Sequence, residues 1–281
     1  MIKLIIVFTF FVSLIYAELN ITDSIIKPRI INGVEVSQND DTWRFIAALK
    51  YNNNLYCGGS LISPRWVLTA AHCLYNEDTQ KPYEVTSLET VGIGNYSLNS
   101  MRNYRVKRFI LHPSFDFDTI DNDIALVELA SIVTDVLPIP YNTSYTLSVN
   151  TQTNVAGWGS TSSTSNSSTE NLRKALTPIL DFNQCNSSNS YNGELTQNML
   201  CAGYFVSTRD SCFGDSGGPL IVNNTLVGIV SFGVEECAAD RYPSVYTKIK
   251  NYTNWIKSYV EKVNISWIPI MMDNIMIFIP K

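Results

Sequence analysis

Residues 66–73 read Trp-Val-Leu-Thr-Ala-Ala-His-Cys, an apolar run that leads into small residues, a histidine and a cysteine. The first four residues have the length and the aromatic and β-branched content of a β-strand. Similar runs, separated by Gly, Pro, Asn and Ser, recur at 45–49, 55–62, 104–111, 124–129, 226–232 and 245–249. Many short strands divided by turn residues predict an all-β sandwich or barrel.

Three other segments organise the chain. Residues 252–263 predict one helix that closes the domain, because apolar residues recur every three or four positions behind a candidate N-cap, Asn251. Leu-Pro-Ile-Pro at 137–140 interrupts the strand pattern and predicts the connection between two halves of similar size. Residues 160–169 are almost all Ser and Thr, a composition that predicts a mobile surface loop.

The amino terminus indicates secretion. Lys3 precedes an apolar run at 4–15, and Ala17 is a small residue at a cleavage point, so we interpret 1–17 as a signal peptide. The alternative, a membrane anchor, needs about 20 apolar residues, more than this run supplies. Passage through a glycosylating compartment agrees with eight N-x-S/T sequons, each weak alone, at Asn20, Asn95, Asn142, Asn166, Asn186, Asn223, Asn251 and Asn264.

Composition excludes several classes of function. The net charge of −5 and the absence of a basic run give no electrostatic footprint for nucleic acid. Six cysteines without a C-x-x-C pair favour disulfides over a zinc site, although spacing alone does not choose the pairing. We expect no metal and no cofactor.

The catalytic chemistry centres on a serine. Ser216 lies in Gly-Asp-Ser-Gly-Gly-Pro at 214–219, where glycines allow a tight turn that presents N–H groups to a reacting carbonyl oxygen. Such a serine needs a base, and the chain has only two histidines, His72 and His112. His112 precedes a proline at a strand end and is interpreted as structural. Asp123 begins an apolar strand, where a carboxylate is costly unless it is paired.

The order His, Asp, Ser along the chain and the sequence motifs around these residues resemble those of the trypsin-like (chymotrypsin-fold) serine proteases. The similarity extends over 30–263 and includes CGGSLI at 57–62, WVLTAAHC at 66–73, GWG at 157–159 and PSVYTK at 243–248. The resemblance implies two six-stranded antiparallel β-barrels, about 30–137 and 141–250, with a C-terminal α-helix and the active site between the barrels. It also implies an endopeptidase whose partners are protein or peptide substrates, protease inhibitors and an activating protease.

The resemblance further implies a role for each site residue. Ser216 would be the nucleophile, His72 the base and Asp123 its orienting acid, with the N–H groups of Gly214 and Ser216 as the oxyanion hole. The implied disulfides are Cys57 with Cys73, Cys185 with Cys201, and Cys212 with Cys237.

The resemblance places the substrate pocket at Asp210, Ser231, Gly233 and Ser244. Asp210 at its base would accept Arg or Lys, because a buried carboxylate is stabilised by a cation. Departures from the family pattern are Ser244 in place of a common glycine, Phe213 in place of a polar residue, and Glu235-Glu236 at the rim. The loop at 91–101 lacks the paired carboxylates that bind calcium in some relatives.

The ends of the mature domain follow from the same comparison. Residues 18–29 are interpreted as an activation propeptide, with cleavage between Arg29 and Ile30 so that the new amino group pairs with Asp215. Residues 264–281 form an apolar extension, which we expect to be a strand or coil rather than a membrane span. We expect a secreted, extracellular monomer.

Two rival functions remain. A catalytically inactive relative would act as a binding protein, although the complete set of catalytic motifs argues against it. An active hydrolase with another pocket preference would follow if Ser244 excluded long side chains.

Overall fold

The structure is a computed structural model that describes residues 33–85, 88, 90–142, 144, 146–160, 168–206, 214–234 and 239–261, and the backbone at 267–272 and 275–280. Several predicted features lie outside the described residues: the signal peptide, the propeptide, Arg29, Ile30, Asp210, Cys212, Phe213, Cys237, Glu235-Glu236 and most of the Ser/Thr-rich segment.

Short strands dominate the chain, as the sequence predicts. In chain order they are β1 Val34–Glu35, β2 Ile46–Tyr51, β3 Asn54–Ser63, β4 Trp66–Thr69, β5 Tyr75–Asn76, β6 Lys81–Pro82, β7 Thr90–Ile93, β8 Arg102–Leu111, β9 Ala125–Leu129, β10 Gln152–Gly157, β11 Arg173–Pro178, β12 Met199–Cys201, β13 Pro219–Val222, β14 Thr225–Phe232, β15 Val245–Lys248, β16 Trp267–Met272 and β17 Ile275–Pro280. The α-helices are α1 Phe182–Cys185 and α2 Thr253–Val260, and 3₁₀ turns occur at Asp41–Trp43, His72–Leu74, Leu98–Ser100 and Ile249–Tyr252.

The first half is a closed antiparallel barrel of six strands in the order β2-β3-β4-β9-β8-β7. Its interior is filled by apolar side chains such as Leu49, Leu61 and Leu126, none of which is exposed. On its outer wall, Glu128 is only 2 % exposed and is paired with Lys107 at 2.8 Å and Arg108 at 2.5 Å. The six strands of the closed ladder therefore have no free edge among them, and the short pair β5 and β6 lies outside the barrel.

The second half is a seven-stranded sheet in the order β1-β11-β10-β13-β14-β15-β12. Its ends curl toward each other, because an antiparallel bridge joins Ile179, after β11, to Ala202, after β12. The two-residue strand β1 extends this sheet beyond β11, although it precedes the first barrel in the sequence. Arg173 holds it there by donating a hydrogen bond to the Gly33 carbonyl at 2.8 Å. The two β halves and the closing helix confirm the predicted fold class.

The predicted cap of the closing helix is wrong. Asn251 lies inside the preceding 3₁₀ turn, and its side-chain amide donates to Gln197 O at 3.1 Å and Asn198 Oδ1 at 3.0 Å. Tyr252 occupies the N-cap position of α2 and does not cap the helix with its side chain, whose hydroxyl donates to Asn122 Oδ1 at 3.1 Å. Because the 3₁₀ turn runs directly into α2, Asn251 instead ties the helix start to the second half.

No helix in the described part of the chain is long and apolar enough to span a membrane.

The C-terminal extension contains a β-hairpin. β16 and β17 pair antiparallel from Trp267 opposite Pro280 to Met272 opposite Ile275. In the sequence, Asp273 and Asn274 separate the two strands. Strand structure agrees with the expectation of a strand or coil for this segment.

Candidate active site

Neighbouring strands of the first barrel bring His72 and Asp123 together. His72 begins the 3₁₀ turn three residues after β4, and Asp123 lies two residues before β9, which pairs with β4. The His72 Nδ1 and Asp123 Oδ2 atoms are 2.8 Å apart, and the His72 backbone N–H donates to Asp123 Oδ1 at 2.9 Å. The carboxylate is only 1 % exposed, whereas the imidazole is 23 % exposed. The Asp123 carboxylate therefore orients the imidazole through Nδ1, and the ring remains partly exposed to solvent.

The second half completes the environment of Asp123. The Ser231 hydroxyl donates to Asp123 Oδ2 at 2.5 Å, and the Thr247 hydroxyl donates to the Asp123 carbonyl at 2.6 Å. Ser231, predicted to bind substrate, thus also orients the acid. Sequence reasoning missed Thr247, since nothing within PSVYTK indicates that its hydroxyl reaches a residue 124 positions away. Both hydroxyls satisfy a carboxyl residue that would otherwise be costly to bury.

The charges of His72 and Asp123 stabilise each other. Burial raises the pKa of Asp123, but the positive charge of His72 and hydrogen bonds from His72 and Ser231 outweigh it, so the pKa is lowered. Burial lowers the pKa of His72, but the carboxylate of Asp123 outweighs it, so the pKa is raised above its ordinary value. Asp123 therefore stays ionised and stabilises a protonated imidazole, which a general base becomes during catalysis.

A glycine loop packs Ser216 against the first barrel. The Gly58 N–H donates to the Ser216 carbonyl at 2.7 Å. Gly217 has a φ of +78°, and a Cβ there would lie 2.3 Å from Thr69 Oγ1 and 2.5 Å from the Gly58 carbonyl. Only glycine allows this approach, which holds the loop of Ser216 against the end of β4, three residues before His72. The described hydrogen bonds do not include one between Ser216 Oγ and His72 Nε2.

The residues flanking Ser216 are equally confined. Gly214 has a φ of +91°, and a Cβ there would lie 3.1 Å from the Gly159 Cα. Asp215 is fully buried, and its Oδ1 accepts a hydrogen bond from the Gly159 N–H at 2.9 Å. A Cβ on Gly157 would lie 2.0 Å from the same oxygen. The absence of a side chain at Gly157, in the GWG motif at 157–159, therefore leaves room for the Asp215 carboxylate.

The predicted substrate pocket is described in part. Ser231 and Ser244 are buried at 4 % and 3 % exposure, and a Cβ on Gly233 would meet no atom within 4 Å. Phe232, between Ser231 and Gly233, packs edge-on against Tyr191 at 5.9 Å. Among the described residues, no atom occupies the space beside Gly233.

Two of the three predicted disulfides lie within the described residues, and both are formed. Cys57 is bonded to Cys73, and Cys185 is bonded to Cys201. The first joins β3 to the residue after His72, and its Cys73 sulfur lies 3.7 Å from His72 Nε2. A pocket of about 250 Å³ adjoins this sulfur and is lined by Tyr51, Tyr56, Leu74, Tyr83 and Leu88.

Metal-ligand chemistry is limited within the described residues. The single cluster of potential ligands is Cys57, His72 and Cys73, whose sulfurs are joined in the disulfide. In the loop compared with calcium sites, the buried Lys50 ammonium donates to the Leu98 carbonyl at 2.7 Å.

Comparisons with known proteins agree with this geometry. The Trypsin family model matches residues 30–256. A trypsin of Xenopus laevis is 36 % identical over 237 residues, covering 83 % of this chain and 91 % of its own length. Trypsin II-P29 of Gallus gallus is 39 % identical, covering 73 % and 79 %, and Kallikrein-11 of Homo sapiens is 38 % identical, covering 82 % and 80 %. The chain therefore belongs to the trypsin family and is a serine endopeptidase.

Proposed function

We propose that His72, Asp123 and Ser216 form the catalytic triad of a peptidase that cleaves after Arg or Lys. The observation that carries the proposal is the buried Asp123 carboxylate 2.8 Å from His72 Nδ1, which leaves Nε2 as the working nitrogen. Ser216 attacks the peptide carbonyl while Nε2 takes its proton, and an acyl-enzyme forms as the leaving amine receives that proton. Water then repeats the sequence and releases the acid product.

The oxyanion of each tetrahedral intermediate is bound by the N–H groups of Gly214 and Ser216. The left-handed conformation of Gly214 supports this role, because it allows two nearby N–H groups to point toward one site. The loss of one such donor typically costs about 2.7–4 kcal/mol of transition-state stabilisation.

The preference for Arg or Lys comes from Asp210, with Ser231, Gly233 and Ser244 lining the pocket. Among the described residues, nothing lies within 4 Å of a Cβ on Gly233, which supports the entry of a long side chain. Replacing Asp210 with Ser should lower kcat/KM for Arg substrates by the equivalent of about 3–5 kcal/mol of transition-state stabilisation, the cost of breaking a buried charge pair. Ser244→Gly should change the ratio of Arg to Lys cleavage, because the hydroxymethyl group reduces the space for one cation more than the other.

Activation follows cleavage between Arg29 and Ile30 by another protease. The freed Ile30 amino group then pairs with Asp215, whose fully buried carboxylate lies next to Ser216. This partner raises the pKa of the amine above its reference of about 7.7–8.0, so the active form persists below the raised pKa and is lost above it. An Arg29→Gln precursor that becomes active without another cut would contradict this step.

Secretion into an oxidising extracellular space completes the proposal. The predicted signal peptide and the two described disulfides support it. Protease inhibitors that occupy the cleft are expected partners, and the free enzyme is expected to be a monomer.

One experiment tests the proposal against its rivals. The activated protein is treated with a fluorophosphonate, which reacts with an activated serine, and is then assayed with matched Arg, Lys, Phe and Ala esters. We expect labelling at Ser216, none in Ser216→Ala, and the highest kcat/KM for Arg or Lys. Absence of labelling in a folded, activated protein would favour the binding-protein alternative. Labelling with a preference for Phe or Ala would preserve the triad and refute the assignment of Asp210.

A further inference from the structure

The structure separates the sequons by the environment of their asparagines. Five of the eight lie in the described part of the chain: Asn95, Asn142, Asn186, Asn223 and Asn251. An N-linked glycan is bulky and hydrophilic, so its asparagine must hold Nδ2 in solvent once the protein has folded. Burial and existing hydrogen bonds therefore determine which sequons are compatible with a glycan.

Four of the five side chains are engaged in the fold. Asn142 is 3 % exposed, so a glycan there would force the local structure open. Asn186 is partly buried and bonds the Leu195 backbone through both its amide oxygen and its amide nitrogen. Asn251 uses its amide nitrogen to hold the start of α2, as described above. Asn95 is partly buried, and its Oδ1 accepts a hydrogen bond from the Ser97 N–H, which orients the side chain in a turn without using Nδ2.

Asn223 differs from all four. It lies at the tip of the hairpin between β13 and β14, where Asn223 and Asn224 have φ values of +46° and +56°. Asn223 is exposed, and the described hydrogen bonds include none to its side-chain amide. The Thr225 hydroxyl required by the sequon donates to the Asn223 carbonyl, so both recognition groups stand on one tight turn.

We propose that Asn223 carries an N-linked glycan, an inference that rests on the proposed passage through the secretory pathway. The co-substrate is an oligosaccharide joined to a lipid through a pyrophosphate. The Asn223 amide nitrogen attacks the anomeric carbon, a nitrogen–carbon bond forms, and the carbon–oxygen bond to the pyrophosphate breaks. The amide loses one proton, and the lipid pyrophosphate leaves.

The glycan lies away from the cleft. β13 leads from the Ser216 loop to the hairpin tip, and its four residues span about 13 Å at about 3.3 Å per residue. The neighbouring Asn224 lines a groove with Pro138, Pro140 and Leu137, and Leu137 is 58 % exposed. A glycan at this tip would cover apolar surface at the connection between the halves and leave the substrate path open.

The test uses the full chain, expressed in a glycosylating eukaryotic host with its own leader and, in parallel, with residues 1–17 replaced by a host leader. Glycans are released enzymatically in ¹⁸O-water, which converts each glycosylated Asn into labelled Asp that peptide mass spectrometry locates. Thr225→Ala removes the sequon but keeps Asn223, Thr225→Ser keeps the sequon, and Ser144→Ala removes the sequon of the buried Asn142.

We expect label at Asn223, one fewer glycan in Thr225→Ala, no loss in Thr225→Ser, and no change in Ser144→Ala. kcat/KM should stay within about twofold in Thr225→Ala. If the protein were secreted with the host leader but not with the native leader, the proposed localisation would be refuted. The protein secreted with the host leader would still show whether Asn223 carries a glycan. Secreted, active protein without label at Asn223, or with label at Asn142, would overturn the inference.

Discussion

Two glycines with similar positive φ values allow the steric confinement of the serine loop to be measured. Gly217 and Gly193 have φ values of +78° and +90°. A Cβ at 217 would lie 2.3 Å from Thr69 Oγ1, whereas a Cβ at 193 would meet nothing within 4 Å. Thr69 cannot move aside cheaply, because it is fully buried and its hydroxyl donates to the Gly58 carbonyl at 2.8 Å.

The expected free-energy changes follow from these contacts. Gly193→Ala incurs only left-handed strain, about 1–2 kcal/mol. Gly217→Ala incurs the same strain and about 1–3 kcal/mol of overpacking, about 2–5 kcal/mol in all. Urea unfolding of both variants, followed by tryptophan fluorescence in a Ser216→Ala background that prevents self-digestion, measures the difference.

Activity provides a second measurement of the same pair. With Ser216 restored and the protein activated, Gly217→Ala should lose most of its fluorophosphonate labelling, because the displaced loop carries the proposed nucleophile. Gly193→Ala should be labelled at the rate of the unmodified protein. Unfolding free energies of the two variants within about 0.5 kcal/mol of each other would refute the steric argument, since additivity errors are of that size.

Three further outcomes are expected. Asp123→Asn should lower kcat by about 10⁴-fold and shift the acid limb of kcat/KM to lower pH, because the charge that raises the pKa of His72 is removed; an unmoved limb would contradict this. The pKa of Glu128 is raised by burial but lowered overall by its two cationic partners, so its stabilisation is present above the unfolded-state pKa and disappears as the pH falls through the folded-state value. Thermal melts of the Ser216→Ala protein and its Glu128→Gln derivative should therefore give free energies of unfolding that differ by about 1–2 kcal/mol at neutral pH and converge in acid. A difference that stays constant with pH would contradict a contribution from the titration of Glu128. Tyr83→Ala should alter selectivity for the residue after the cleaved bond but leave ester turnover unchanged, because the pocket beside the disulfide lies near His72 Nε2, the atom proposed to protonate the leaving amine; equal selectivity in a peptide library would refute this.

Strands with apolar patterns could be predicted closely. β4 has the predicted bounds, and β9 begins one residue later than predicted. β11, with the sequence RKALTP, could not be recognised because it begins with two basic residues and ends in proline. Its Arg173 is nevertheless 7 % exposed, since the Gly33 carbonyl and Glu35 lie beside the guanidinium. Partners 138 or more positions away give no local signal.

The site could be predicted where a local motif contains the chemistry. His72 and Ser216 lie in distinctive sequence motifs, and Asp123 is recognisable as an acidic residue at the start of an apolar strand. The hydroxyl contacts that orient Asp123 could not be predicted, because Ser231 and Thr247 are 108 and 124 positions away. Their geometry depends on how the two halves meet, which no single motif records.

That meeting of the halves is reciprocal. Asp123 belongs to the first barrel, but its carboxylate and its carbonyl accept hydrogen bonds from β14 and β15 of the second half. Ser216 belongs to the second half, but its carbonyl accepts a hydrogen bond from Gly58 on β3 of the first barrel. Separation of the halves by even a few ångströms would break both sets of bonds, because hydrogen bonds weaken steeply with distance. Asp123 would lose its hydrogen bonds at the same time as Ser216 lost its support, so the proposed triad requires the assembled pair of halves.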